Sequence, residues 1–235
     1  MILEIEDLKF TWPGQNEPTL DIKQFSINKG EQIFLKGPSG SGKSTLLGLI
    51  TGINQAQSGK IKLLNKPLSE FNSQQKDHFR ADHLGYIFQQ FNLLPYLNLI
   101  DNVTLPCLFS KKRKKTAQTL SGSLNKDAQR LLSHLEIPQN LFAKKVTELS
   151  IGQQQRVAAA RALIGRPEFV IADEPTSSLD AEARASFIEL LFHECKEAKS
   201  SLLFVSHDQG LESLFSKKIN LTEINSVTGE HHGHS

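Results

Sequence analysis

The sequence has only two cysteines, Cys107 and Cys195, far apart and outside any metal-ligand spacing. That excludes a disulfide scaffold and a cysteine zinc site, and predicts two reduced thiols in a reducing compartment. Long hydrophobic runs are also missing: no stretch approaches the roughly 18 uninterrupted apolar residues of a membrane span. The opening MILEIEDLKF carries acids where a signal peptide carries a basic region. These absences predict a soluble, cytoplasmic chain that reaches a membrane only through another protein. Neither sign of charge dominates, since 27 Lys and Arg against 25 Asp and Glu give a net charge of +2. A global polyanion-binding surface is thereby excluded, and no nucleic-acid partner is expected. The remaining composition, 38% hydrophobic and 22% charged, is that of a globular chain. Its 235 residues suit one large domain, or a core with a subdomain.

Alternating apolar residues in ILEIEDLKF predict an opening strand, and WPGQNEP a turn. Further strands are expected over 20–27 and 32–35, in SGKIKLLNKP and in LGYIFQQ. From Asn98 to about Leu163 the periodicity becomes helical. Strands return at EFVIAD and SLLFVSH, separated by the helical DAEARASFIELLFHECKEA. Strands, then helices, then alternating strands and helices predict an α/β core with a helical subdomain. The stretch KKRKKTAQTLSGSLNK at 111–126 reads as a solvated loop, with a patch for anionic lipid headgroups as the functional alternative. In the tail GEHHGHS, His231, His232 and His234 could bind a metal, but a mobile terminus is the simpler reading.

Gly37 to Ser44 fit G-x-x-x-x-G-K-[ST] in full, between a strand and the helical STLLGLITGI. Gly37, Gly40 and Gly42 let the backbone curl so that successive N–H groups converge on phosphate oxygens. The helix start adds its positive dipole end. Lys43 brings a point charge to the outer phosphates, and the Ser44 hydroxyl is a hard oxygen ligand for Mg²⁺. Nucleotide binding follows, with Ser39, Ser41 and Thr45 completing the loop. Asp173, ending the apolar strand FVIAD, offers a carboxylate for Mg²⁺. Glu174 beside it can position or polarise an attacking water. His207, after the strand SLLFVS, can donate a hydrogen bond to a γ-phosphate.

Together these residues resemble the ATP-binding cassette (ABC) ATPases over nearly the whole chain. GPSGSGKST is similar to the family's phosphate loop and FVIADE to its second nucleotide motif. LSIGQQQR at 149–156 resembles the signature, SSLD at 177–180 the D-loop, Gln89 the Q-loop and His207 the switch histidine. The resemblance implies a P-loop NTPase (RecA-like) core, residues 1–90 and 166–235, with an antiparallel β subdomain and an inserted helical signature subdomain, 91–165. It implies ATP and Mg²⁺ as cofactors, with Ser44, Gln89 and Asp173 as metal-site residues and Glu174, His207 and Gln89 as catalytic ones. Trp12 aligns with the aromatic residue that stacks on adenine; the bland alternative is a turn tryptophan packed over Pro13.

In this family the signature of one subunit closes over nucleotide held by another. The resemblance therefore assigns Ser150, Gly152, Gln153 and Asp180 to a partner's site in a head-to-tail homodimer. Ile151 departs from the usual glycine; with Gly152 intact, its side chain is expected to point away from phosphate. LGYIFQQFNLLPYLNLIDNVTLP is similar to ATPases of the lipoprotein-release and macrolide-export group, whose partner is a separate membrane permease. The implied function is the ATPase of a transport or mechanotransmission complex, peripheral on the cytoplasmic face of the inner or plasma membrane. A non-transport cassette acting on nucleic acid or ribosomes is the alternative. Roughly a hundred residues without sustained heptads separate the two motifs, which disfavours the coiled-coil DNA-repair relatives. A single cassette disfavours the ribosomal ones, and a generic phosphate-loop kinase has no use for LSIGQQQR.

Overall fold

The computed structural model describes residues 1–177 and 179–227; Ser178 and the tail histidines His231, His232 and His234 lie outside the described residues. In chain order, β1 (Leu3–Phe10), β2 (Leu20–Ile27) and β3 (Gln32–Lys36) lead to α1 (Lys43–Ile50). Next come β4 (Ser58–Leu63), β5 (Lys66–Pro67), α2 (Ser73–His83) and β6 (Leu84–Ile87). A helical stretch holds α3 (Leu99–Thr104), α4 (Pro106–Phe109), α5 (Lys111–Ser121), α6 (Leu124–His134) and α7 (Ile151–Leu163). The chain continues with β7 (Phe169–Asp173), α8 (Ala181–Ala198), β8 (Ser201–Val205), β9 (Lys217–Asn220) and α9 (Leu221–Ile224). It is α/β, as expected, and forms two compact bodies.

The first body comprises residues 1–28, 33–76 and 206 onward. Its antiparallel sheet runs β2-β1-β4-β5, while β3 pairs in parallel with β9. The apolar alternation of β1 breaks in the middle: Leu3 and Ile5 are buried, then Leu8 and Phe10. A register shift between Glu6 and Lys9 against β4, with Asp7 at φ 47°, inserts the extra residue. Such a bulge flips the alternation and re-aims the strand end. Phe10 thereby turns inward and meets the Trp12 ring edge-on, centroids 5.0 Å apart.

The second body comprises residues 29–32 and 77–205. It contains β6, β7 and β8, all parallel. FVIA of β7 and all five residues of β8 are buried, the continuous apolar pattern of strands covered on both faces. The basic segment expected as a loop is helix α5. Ser110 caps it, its hydroxyl accepting from the Arg113 N–H at 3.0 Å, and Gly122 ends it at φ 79°. Helix α2 and strand β9 also lie outside the expected elements, because α2 is mostly polar and β9 is short.

Arg113, in the middle of the basic run, is 2% exposed. Its guanidinium donates to the carbonyls of Ile164 (2.7 Å), Ala162 (2.7 Å), Leu84 (3.1 Å) and Arg161 (3.2 Å). These include the last carbonyls of α7, which have no partner within the helix. Gly165 lets α5 come this close, since a Cβ there would lie 2.5 Å from the Arg113 carbonyl oxygen. Burial lowers the Arg113 pKa to about 10, so it remains cationic at neutral pH.

Next to it, Glu168 accepts from Lys112 and pairs with His83 Nδ1 at 3.0 Å. Burial would raise the Glu168 pKa, but these two partners outweigh it and hold the carboxyl at about 2, against 4.5 ordinarily. The folded state therefore binds fewer protons than the unfolded one between those values. The stabilisation is complete above about pH 4.5 and is lost as pH falls towards 2. Melting temperatures of wild type and Glu168→Gln are expected to differ most near neutral pH. The gap should close on acidification through that window, and a gap independent of pH would contradict the pairing.

Candidate functional site

Residues 37–42 connect β3 to α1 through a loop that closes on itself. Gly42 takes φ 97°, ψ 11°, left-handed backbone that favours glycine, and a Cβ there would come within 2.8 Å of Leu20. The Lys43 ammonium lies across the loop, donating to the Gly37 carbonyl at 2.6 Å and the Pro38 carbonyl at 3.0 Å. Ser41 Oγ sits against Gly37 and is buried without a hydrogen-bond partner among the described residues. Ser39, Gly40 and Ser44 are exposed, whereas Thr45 is buried. The loop thus brings a cation, an unused hydroxyl and a helix start together in one short stretch, the groups that receive phosphate.

Trp12 lies beside the phosphate loop. Its indole N–H donates to Thr45 Oγ1 at 3.3 Å, and the ring is 39% exposed. The bulge in β1 and the first turn of α1 therefore hold one aromatic face beside the phosphate loop. His207 lies in the same body, exposed directly after buried Ser206, whose N–H donates to the Leu35 carbonyl at 3.2 Å.

The other expected residues lie in the second body. Asp173 ends β7, and its Oδ2 accepts from the Tyr86 hydroxyl at 3.3 Å. Burial, then the neighbouring carboxylate, raises the Tyr86 pKa, which keeps the phenol a donor. Sequence reasoning missed Tyr86, because only the β6–β7 register brings it beside Asp173. Glu174 turns out of the strand at φ 46°, and its N–H donates to the Val205 carbonyl at 2.9 Å. Gln89 is exposed in the turn after β6. Two residues further on, Phe91 and Asn92 are both left-handed, at φ 59° and 49°. Buried Arg161 of α7 donates to the carbonyls of both, to Asn92 at 2.6 Å. Arg161 too was missed; its apolar helical setting gave no sign that it holds a turn.

At the outer end of α7, Ser150 and Gln153 form a reciprocal cap. The Ser150 hydroxyl accepts from the Gln153 N–H at 3.3 Å, and Gln153 Oε1 accepts from the Ser150 N–H at 3.0 Å. Ile151 is 54% exposed, and a Cβ on Gly152 would meet only Leu179, at 3.6 Å. The helix start is therefore open to an approaching anion. Asp180 caps α8, its Oδ1 accepting from the Ala183 N–H at 2.9 Å. Ser44, Gln89 and Asp173 each carry a hard oxygen donor of the kind Mg²⁺ takes.

A family profile described as "ABC transporter" matches residues 20–177, which include the phosphate loop, the signature helix and the carboxylate pair. The chain belongs to the ABC transporter family. It is similar to an uncharacterized ABC transporter ATP-binding protein, YbbA, of Escherichia coli K12, with 39% identity over 210 residues, 88% of each chain. It is also similar to the lipoprotein-releasing system ATP-binding protein LolD of Porphyromonas gingivalis, 36% identical over 90% of this chain and 92% of that one. Among solved structures, the dimeric ATP-binding cassette MJ0796 bound to ADP and Pi superposes with a TM-score of 0.80. Identity there is 30%, over 93% of both chains. The core is therefore a P-loop NTPase fold. This ABC protein is the ATP-binding subunit of a transporter, an ATPase whose turnover is coupled to transport. The nucleic-acid or ribosome alternative falls with that assignment.

Trp12 is the only tryptophan, so its fluorescence reports on this site alone. Titration with ATP is expected to change its emission, and Lys43→Ala should abolish the change. Trp12→Ala should weaken ATP binding by about fivefold or more, since base–aromatic stacking contributes roughly 1–3 kcal/mol. Unchanged affinity would return Trp12 to the role of a turn residue.

Proposed function

We propose that the chain binds ATP between Trp12, on adenine, and the 37–45 loop, on the phosphates. Lys43 neutralises the outer phosphates. Ser44, Gln89 and Asp173 hold Mg²⁺, which when bound screens phosphate charge and orients the terminal group. Glu174 accepts a proton from the attacking water, and His207 donates a hydrogen bond to the γ-phosphate. The observation that carries this reading is the backbone at Glu174. A non-glycine residue held at φ 46° directly after Asp173 costs of order 1–3 kcal/mol, strain that clusters at functional sites.

The open cap of α7 supports the second half of the proposal. Ser150, Gly152 and Gln153 act on nucleotide held by a second copy in a head-to-tail dimer, and Asp180 lines the junction. In this arrangement ATP glues two subunits together, and hydrolysis releases them. The helical segment 91–165, inserted between 1–90 and 166–235, passes the motion through Gln89 to a membrane permease. None of the described helices is long and apolar enough to cross a membrane. We place the subunit on the cytoplasmic face of the membrane, bound through that permease.

Glu174→Gln is expected to retain ATP binding, lose nearly all turnover and accumulate an ATP-bound dimer in gel filtration. Undiminished hydrolysis would remove Glu174 from its role. The trans arrangement has its own test. Lys43→Ala damages a subunit's own loop, and Ser150→Arg its neighbour's site. Mixing the two inactive proteins should restore activity through mixed dimers with one intact composite site. Mixed dimers that form without activity would exclude it.

A further inference from the structure

The residue that leads into the phosphate loop, Lys36, is a cation at the end of a strand whose preceding residues Ile33, Phe34 and Leu35 are fully buried. Its ammonium donates to Glu212 Oε1 at 3.0 Å, the side chains being 33% and 20% exposed. Glu212 belongs to a short 3₁₀ helix, Gln209–Leu214, just after His207. The same loop touches the two preceding residues of β3. The Ser206 N–H donates to the Leu35 carbonyl, and the Phe215 ring packs on Phe34 with centroids 5.1 Å apart. Three consecutive β3 residues thus fasten one loop at three points: ring on ring, amide on carbonyl and cation on carboxylate. Asp208 tightens the loop from within, its Oδ1 accepting from the Gly210 N–H at 2.9 Å.

We infer that the Lys36–Glu212 ion pair is a positioning device that registers His207 against the phosphate loop. His207 lies between the anchors at 206 and 212, and Lys36 is bonded directly to Gly37. Without the pair, the loop keeps its anchors at 206 and 215 but loses the one at 212, with Gly210 between. His207 could then leave its working position without disturbing the loop that binds ATP. The effect should fall on turnover rather than on nucleotide affinity. This inference rests on the reading of His207 as the γ-phosphate donor.

The test compares Lys36→Met, Glu212→Gln, Lys36→Arg and His207→Ala by ATP KM, kcat and single-turnover hydrolysis. Lys36→Met and Glu212→Gln should each lower kcat about threefold to tenfold, the loss expected for a partly buried ion pair, with KM within about twofold. Lys36→Arg should restore most of the rate, and the double variant should be no slower than either single one. Placed on His207→Ala, neither pair substitution should slow single turnover further. Glu212→Gln, nearly isosteric, carries the test if Lys36→Met does not fold. If His207→Ala leaves hydrolysis intact, the reading of His207 fails, and the inference with it. If His207→Ala is slow and the pair substitutions have no effect, raise KM alone, or multiply with it, that reading stands and the positioning role is overturned.

Discussion

A helix end inside a protein must find partners for its last carbonyls, and in α7 a single guanidinium supplies two of them, those of Arg161 and Ala162. Arg113 binds the carbonyls of Arg161, Ala162 and Ile164 together with that of Leu84 in β6. Five N–H donors in a rigid fork suit this task, and an ammonium could not span the same set. The interaction fixes both where α7 stops and how it is rotated. From that buried end the helix runs to Ser150, so the location of the signature cap is decided some thirteen residues away. Arg161, in the same last turns, holds the left-handed pair Phe91–Asn92. Asn102 then organises the segment 94–98, accepting from the Leu94 N–H and donating to the carbonyls of Leu94, Leu97 and Asn98. Within this body, the turn carrying Gln89 and the helix carrying the signature are therefore one mechanical piece.

Local chemistry was legible in the sequence, and tertiary pairing was not. The phosphate loop reads directly because its geometry needs glycines and a lysine at fixed spacing. FVIAD reads because a strand buried on both faces leaves a continuous apolar run with an acid at its end. The cap made by Ser150 and Gln153 went unread, although S-x-x-Q is itself the hydrogen-bonding unit. The run at 111–115 hid its helix, since four lysines around Arg113 at the positive end of a dipole oppose helix formation. The caps Ser110 and Gly122 were present in the sequence, but five successive cations do not say which one faces inward. Helical spacing is the missing signal: Arg113 and Ala117, four apart, are the two buried residues of α5. Tyr86, Lys36 and Arg161 lacked even that, because their partners lie on other elements. The bulge at Asp7 was equally silent, being defined by the register with β4.

The lysine of the phosphate loop also braces the loop that carries it. Lys43 donates to the carbonyls of Gly37 and Pro38, residues five and six positions earlier in its own loop. The ammonium thus closes the curl that its charge is meant to serve, and keeps the glycine-rich segment from spreading. When phosphate oxygens arrive they compete with two neutral carbonyl acceptors for the same three donors. Bonds to ionised acceptors are roughly twice as strong as bonds to neutral ones, so the exchange favours the nucleotide. The gain is the difference between the two sets of bonds, not the full strength of the new one.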